Sequence, residues 1–225
     1  MSLFSAEHLV ALGVVVLACV AVTLAARRRP GSWIDPTAAV IAAIILVAEV
    51  SWYAVYLPRQ AGWSASYGLP LQLCDVAGFI VPAALLWRQW LLVELSYFWG
   101  LGGTLQALIT PDLREHFPSY PYWQFYLTHG AIVVGALFLT VGLRRYPRPG
   151  AVPRIFLLTL GFAIVVGLVD LVTGGDYMYL RQPPQNGSLL NLMGPWPWYI
   201  ATGAMLALIV LLILDLPFWR ARRKV

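Results

Sequence analysis

Seven apolar stretches, each long enough to cross a bilayer as a helix, recur along this chain of 225 residues. A hydrocarbon core of ~30 Å requires about 20 apolar residues in a helix that rises ~1.5 Å per residue. Hydrophobic residues make up 60% of the chain and charged residues 11%, which is typical of a polytopic membrane protein. We therefore predict an all-α membrane protein in which residues 1–225 form one domain, a single bundle of seven transmembrane helices. The predicted spans lie near residues 8–26, 36–57, 69–87, 90–110, 121–143, 153–173 and 196–216.

The basic residues predict the orientation of these spans. Twelve of the fifteen Lys and Arg residues fall in the first, third and fifth connections and in the C-terminal tail, whereas Arg59, Arg114 and Arg181 fall on the other side. Because cytoplasmic loops carry the excess of Lys and Arg, we expect the N-terminus outside and the C-terminus in the cytoplasm. This distribution explains the net charge of +5 without a nucleic-acid partner. The first stretch lacks a preceding basic region and a following cleavage pattern, so it is expected to be a retained helix.

Polar residues within the predicted spans gather in the outer half of the bilayer. At ~1.5 Å per residue, Cys74 and Asp75 lie roughly 8 Å below the outer boundary and His129 roughly 12 Å below it. Such residues usually mark a functional site, because hydrocarbon makes polar groups costly. Polar groups from six helices at similar depth predict one shared cavity. The candidate supporting or substrate-binding residues are Asp75, Gln72, Glu49, Thr104, Gln106, Asp112, Asp170 and His8.

Two of the predicted helices carry a stripe at i, i+4 and i+7 spacing, which places its members on one helical face. The stripes are Tyr122, Tyr126 and His129 on the fifth helix, and Glu49, Tyr53 and Tyr56 on the second. Each stripe is either a wall of the cavity or a buried packing face whose polar tips are satisfied. The aromatic connection 174–195 also has two interpretations: it is either part of an interfacial aromatic belt or a lid over the site.

Cys74 and His129 are the candidate catalytic pair. A thiol is a good nucleophile only as the thiolate, and burial in apolar surroundings opposes its ionisation. Pro70 suits the first position of a helix, so Cys74 is expected near the positive end of the helix dipole. A nucleophile beside a base that a third group orients is the general arrangement for covalent catalysis. The candidate orienting groups are Asp170, Glu49 and Asp75.

Other functions can be weighed against the same residues. A retinal protein requires a lysine in the last helix, but the only lysine is Lys224 in the tail, and three histidines are too few for a dihaem protein. No HExxH or comparable spacing predicts a zinc site, so we expect no metal and no cofactor. A proton-coupled transporter or a non-catalytic binder of lipids or small ligands stays an alternative, because acids and His129 at one depth can form a relay. In a structural protein, Cys74 would only pack, as we expect for Cys19, and His129 would only donate a structural hydrogen bond.

Four segments carry a resemblance to a known family. They are PLQLCDVAGF (70–79), YFWGLGGTLQALITPDL (97–113), QFYLTHG (124–130) and YMYLRQPP…GSLLNLMGPWPWYI (177–200). These segments resemble the YwaF-type bacterial integral membrane proteins, which are similar to the animal transmembrane protein 164 family. The animal members are described as acyltransferases that move a polyunsaturated acyl chain onto ether lysophospholipids, with a Cys nucleophile and a His partner.

Carried over by motif, Cys74 matches the nucleophile and His129 the base. The resemblance thus implies a membrane lipid acyltransferase or acyl-ester hydrolase with a Cys–His thioester mechanism in the outer half of the bilayer. The implied partners are phospholipids or other acyl lipids, and the implied location is the bacterial plasma membrane, as a multi-pass protein. Asp75, Thr104 or Gln106 would hold the substrate or stabilise an oxyanion.

Overall fold

The computed structural model describes residues 4–113, 115–183 and 189–222, and every regular element within these ranges is helical. This confirms the predicted all-α membrane class, because five helices in the described part of the chain are long and apolar enough to cross a bilayer. The five are Ala6–Arg28, Ile34–Gln60, Tyr120–Gly142, Ala151–Thr173 and Trp198–Trp219. In chain order the elements are α1 (Ala6–Arg28), α2 (Ile34–Ser51), a π-helical turn (Trp52–Tyr56), α3 (Leu57–Ala61), α4 (Leu73–Trp87), α5 (Trp90–Trp99), a second π-helical turn (Gly100–Thr104), α6 (Leu105–Ile109), α7 (Tyr120–Leu137), a third π-helical turn (Phe138–Gly142), α8 (Ala151–Thr173), 3₁₀ turns at Tyr177–Tyr179 and Leu189–Leu192, and α9 (Trp198–Arg222).

The two remaining predicted spans differ from the expected continuous helices. The span predicted at 69–87 begins at Leu73, and its 15 residues reach only about 22 Å. The span predicted at 90–110 is divided into α5, a π-helical turn and α6. All residues from Val93 to Trp99 are buried, so this stretch of α5 is surrounded by protein and can carry polar side chains. The seven-span count and the orientation of the termini stay predictions.

The chain divides into two compact units, of which the first contains Met1–Trp52 and Leu73–Arg148. In this unit α4 packs against α2, α5 and α7, and α7 also packs against α1. Gly135 of α7 permits the close approach to α4, because a Cβ atom there would lie 2.9 Å from Cγ1 of Val81. The fully buried core of the unit includes Ile45, Val81, Leu85, Phe98, Ile132 and Phe138.

A buried ion pair fastens the end of the first unit to α5. Glu94 Oε1 accepts hydrogen bonds from Nε and from the main-chain N of Arg148, both at 3.0 Å, and Oε2 accepts one from Nη2 at 3.2 Å. The Glu94 side chain is 0% exposed, whereas that of Arg148 is 43% exposed. The hydrogen bond to Glu94 raises the pKa of Arg148 above its ordinary value, so the guanidinium stays charged. The carboxylate of this pair is thus fully buried, whereas the guanidinium is partly exposed to solvent.

This inequality predicts unequal costs of removing either partner. Arg148→Met removes the guanidinium that pairs with the buried Glu94 carboxylate and is expected to lower the free energy of unfolding by about 3–5 kcal/mol. Glu94→Leu should cost less, because the half-exposed Arg148 can turn to water. The double variant should recover most of the loss. Unfolding of the purified variants in detergent measures this order of stabilities. An Arg148→Met variant that is as stable as the Glu94→Leu variant, or more stable, contradicts the prediction.

The second unit contains Tyr53–Gln72 and Pro149–Val225. Its helix α8 ends at Gly174, whose φ of 75° is left-handed and whose N–H donates to the carbonyl of Asp170 at 2.9 Å. Tyr177 then anchors the following segment, because its hydroxyl donates to the Ala65 carbonyl at 3.0 Å and accepts from the Leu69 N–H at 2.9 Å. The start of the predicted belt or lid is thus tied to the connection before α4.

Candidate functional site

A cavity of about 250 Å³ lies within the first unit, where the end of α2, the start of α4, the connection after α6 and the first half of α7 meet. It brings together five of the residues singled out from the sequence: Glu49, Cys74, Asp75, Asp112 and His129. The other described residues that line it are Trp52, Leu113, Glu115, Pro121, Gln124, Phe125 and Thr128. The lining therefore combines a thiol, an imidazole and carboxylates with apolar and aromatic walls.

Cys74 lies in the first turn of α4. The helix begins at Leu73, four residues later than the predicted start at 69, so Pro70 precedes the helix instead of opening it. The first four N–H groups of a helix have no partner within it, and they carry the positive end of its dipole. Cys74 is half-buried, and its Sγ lies 3.8 Å from Oδ1 of Asp75 as a weak donor. The thiol is thus closer to the helix terminus than the sequence indicated.

His129 is oriented by its own helix. Its Nδ1 lies 2.9 Å from the main-chain carbonyl oxygen of Phe125, and the two rings stack with centroids 4.2 Å apart. A carbonyl oxygen only accepts hydrogen bonds, so Nδ1 carries the proton and the lone pair of the neutral ring is on Nε2. We predicted that a carboxylate orients this ring, but in the structure the Phe125 carbonyl bonds Nδ1. Nε2 of the neutral ring is thereby the nitrogen that can accept a hydrogen bond or a proton.

Glu49 is a buried carboxylate in the wall of this cavity. Glu49 is 2% exposed, and its Oε1 has no hydrogen-bond partner within the described part of the chain. Its carboxyl group packs on Gly78, where a Cβ atom would lie 3.0 Å from Cδ of Glu49. Gly78 is one helical turn beyond Cys74, so the absence of a side chain there makes room for the acid. Buried polar atoms without partners are rare and usually have a functional reason.

Four carboxylates are among the described residues that line the cavity: Glu49, Asp75, Asp112 and Glu115. A separated thiolate at Cys74 would lie among like charges, which is electrostatically unfavourable. The arrangement therefore favours removal of the thiol proton during attack over a resting thiolate. No group of three His, Cys, Asp or Glu side chains in the described ranges is placed to hold a metal ion.

Three residues predicted for the cavity have other surroundings in the first unit. His8 is fully buried, and its Nε2 donates to the Leu108 carbonyl at 2.9 Å while Nδ1 accepts from the Phe4 N–H at 3.1 Å. Thr104 is buried in the second π-helical turn, and Gln106 is exposed and donates to the Thr110 hydroxyl at 3.0 Å. None of the three is among the described residues that line the cavity.

Two further predicted residues belong to the second unit. Asp170 is fully buried, and its Oδ1 accepts a hydrogen bond from the Tyr177 N–H at 2.9 Å. Gln72 precedes α4, and its Oε1 accepts from the Met178 N–H at 2.9 Å. Both side chains hold the turn that follows α8, which is a structural role that the depth argument did not anticipate.

The α7 stripe serves both of its predicted purposes, because His129 lines the cavity whereas Tyr122 and Tyr126 form a packing face. Tyr122 and Tyr126 are buried on the side toward α1, where the Tyr122 hydroxyl donates to the Glu7 carbonyl at 3.0 Å. The wall is instead formed by the i, i+4 pair Gln124 and Thr128, in which the amide donates to the hydroxyl at 3.2 Å. Polar residues at that spacing beside His129 were the available signal.

The model of the TMEM164 family matches residues 3–215, which is nearly the whole chain. No curated protein and no solved structure matches this chain. The match includes every described residue that lines the cavity.

Proposed function

The chain belongs to the TMEM164 family, and we propose that it is a membrane-embedded lipid acyltransferase or acyl-ester hydrolase that works through a thioester on Cys74. The observation that carries this proposal is that Cys74 and His129 line one cavity, with the proton of His129 on Nδ1 and the lone pair on Nε2. Acyl transfer is also the activity that the family resemblance implies. The pairing of a nucleophile with a base oriented by a third group is common to enzymes that form covalent acyl intermediates.

In the first half-reaction Cys74 Sγ attacks the carbonyl carbon of a lipid ester. His129 Nε2 takes the thiol proton as the S–C bond forms, which avoids a free thiolate among the carboxylates. Collapse of the tetrahedral intermediate breaks the ester C–O bond, and the imidazolium gives its proton to the leaving alcohol oxygen. The products are an acyl thioester on Cys74 and a lysolipid.

In the second half-reaction an acceptor hydroxyl or a water molecule attacks the thioester carbonyl. His129 Nε2 takes the acceptor proton, the C–S bond breaks, and the sulfur recovers that proton. An acceptor lipid gives acyl transfer, and water gives hydrolysis. The same two residues serve both outcomes, so access of water to the cavity decides between them.

The start of α4 is suited to stabilise the oxyanion in both steps. Main-chain N–H groups in the first turn of a helix lack intrahelical partners and point along the helix axis toward its N-terminal end. Cys74 lies within this turn, so a tetrahedral intermediate on its sulfur forms beside these donors. Donors of this kind act where the negative charge develops and are worth about 3–4 kcal/mol each in other acyl-transfer enzymes. Asp75 would then contact the polar part of the substrate.

The lining supports a substrate with both polar and apolar parts. Trp52, Leu113 and Phe125 provide apolar surface beside the acids. We infer phospholipids or other acyl lipids as substrates, taken from the outer half of the bacterial plasma membrane. An ester carbonyl near the glycerol of a phospholipid lies at a depth comparable to that predicted for Cys74.

A turnover measurement tests this function. The purified protein is reconstituted in vesicles with a phospholipid labelled in one acyl chain and an unlabelled lysophospholipid. The account expects either labelled fatty acid or labelled product on the acceptor lipid, which distinguishes hydrolysis from transfer. Absence of both over a panel of head groups and chain lengths contradicts an acyl-ester enzyme.

A second candidate function follows from Glu49. A buried carboxylate whose Oε1 has no partner among the described residues is typical of proton relays in membrane proteins. It favours a proton-coupled transporter or a non-catalytic binder that uses the same cavity. Uptake or binding that survives Cys74→Ala and is lost in Glu49→Gln would support this candidate over the enzyme.

A further inference from the structure

A second concave surface lies wholly within the second unit, along α8 and the start of α9. It encloses about 550 Å³, which is within the range of roughly 300–1,000 Å³ for ligand pockets. Its apolar floor is formed by Leu160, Ile164 and Gly167 of α8 and by Ile200 of α9. Leu160 and Leu171 of α8 are both in the lining, so the groove follows that helix over ~16 Å.

One end of this groove is polar. Arg181 lies there, exposed, with its Nη1 donating to the Gly175 carbonyl at 3.2 Å. A guanidinium has five N–H donors in a planar fork, so this bond leaves donors for a phosphate. Trp196 is beside it, held by a hydrogen bond of 3.1 Å from Nε1 to the Leu180 carbonyl.

The position of this polar end along the chain is that of a membrane interface. Arg181 follows the membrane-crossing helix α8, and Trp196 precedes the membrane-crossing helix α9 by two residues. Trp and Arg prefer this level of a bilayer, where an apolar body and a polar tip are both accommodated. The groove thus runs from an interfacial cation into the hydrocarbon region.

We propose that this groove binds an anionic phospholipid, with one acyl chain along Leu160–Leu171 and the phosphate on Arg181. A wholly apolar ligand would make no ionic contact with Arg181. A free anion would make no contact with the apolar floor of the groove. Charge complementarity and the direction of the groove together select the lipid. Binding here requires no chemistry at Cys74 and is independent of the proposed function.

Photocrosslinking tests the site on the full chain in nanodiscs. The probes are phosphatidylglycerol and a diacylglycerol that lacks the phosphate, each with a diazirine in one acyl chain, and the labelled peptides are mapped by mass spectrometry. The wild type should label on α8 and the start of α9, with phosphatidylglycerol preferred over diacylglycerol by about tenfold, the value of one charge-assisted contact. Equal labelling by the two probes overturns the proposal.

Two pairs of variants separate the parts of the site. Gly167→Phe fills the groove and should remove labelling by both probes, whereas Gly161→Phe, on the same helix with nothing within 4 Å of its Cβ position, should not. Arg181→Gln should abolish the preference for phosphatidylglycerol, whereas Arg59→Gln, an exposed arginine of the same unit, should preserve it. Labelling that is unchanged in Gly167→Phe and Arg181→Gln shows general lipid contact only and overturns the site.

Discussion

Replacing Cys74 with alanine is expected to abolish acyl transfer and hydrolysis while leaving the protein folded. The change removes the one thiol among the described residues that line the cavity, and with it the atom on which the proposed thioester forms. Loss of a covalent nucleophile lowers turnover by roughly a thousandfold or more in enzymes of this kind. Cys74 is half-buried in a first helical turn, where alanine is tolerated, so the fold should not change. Turnover of the labelled phospholipid in vesicles, with a melting curve of each protein, measures both effects.

The chain provides a matched control for this variant. Cys19 lies in α1, is 8% exposed, and is not among the described residues that line the cavity. Cys19→Ala removes the same thiol from a packing position and should keep full turnover, at a small cost in stability. Wild-type turnover in Cys74→Ala, or equal loss in both variants, contradicts a nucleophilic role for Cys74.

Replacing His129 with glutamine is expected to lower turnover by about 10²–10⁴, the usual contribution of a positioned general base. Glutamine keeps a polar side chain at the position but cannot accept the thiol proton as Nε2 does. The proton must then be lost to solution, so the residual rate should rise with pH more steeply than the wild-type rate. The pH dependence separates a lost base from a merely disturbed fold, which would lower the rate at every pH.

His116 provides the control for this second variant. It is exposed, pairs with Glu7 at the start of α1, and is not among the described residues that line the cavity. His116→Gln should therefore keep the wild-type rate and its pH dependence. A His129→Gln protein as active as the wild type would show that the imidazole does not act as the base.

Much of the fold follows from the apolar stretches, because a bilayer requires its crossing segments to be long and to satisfy their own backbone hydrogen bonds. Four of the membrane-crossing helices accordingly begin and end within about three residues of the predicted spans: Ala6–Arg28, Tyr120–Gly142, Ala151–Thr173 and Trp198–Trp219. The start of α4 was missed because hydropathy does not distinguish a helical turn from the non-helical residues before it. Residues 69–72 are instead tied to the turn after α8 through Gln72 and Leu69.

The composition of the cavity was predictable in part. Depth placed Glu49, Cys74, Asp75, Asp112 and His129 at one level, and these five line one cavity, because residues at one level on packed helices meet when they face inward. The depth of a residue does not show toward which neighbouring helix its side chain faces. The π-helical turn Gly100–Thr104 inserts an extra residue per turn and rotates the positions that follow, and Gln106 is exposed as a result.

The roles of His8 and Asp170 show a second limit of predicting a site from the depth of its residues in the membrane. Both are polar and fully buried, and both bond main-chain groups near helix ends, where N–H and carbonyl groups lack helical partners. A sequence does not reveal which backbone groups need such a partner. From the sequence, polar residues that satisfy backbone hydrogen bonds therefore cannot be distinguished from polar residues that face a substrate.

The most direct test of the central claim is the detection of an acyl thioester on Cys74. The purified protein is incubated with a phospholipid and no acceptor, quenched in acid, and examined by intact mass and peptide mapping. The account predicts a mass increase of one acyl group on the peptide that contains Cys74, removed by neutral hydroxylamine and absent in Cys74→Ala. Turnover of the lipid without any acyl group on Cys74 would contradict the account.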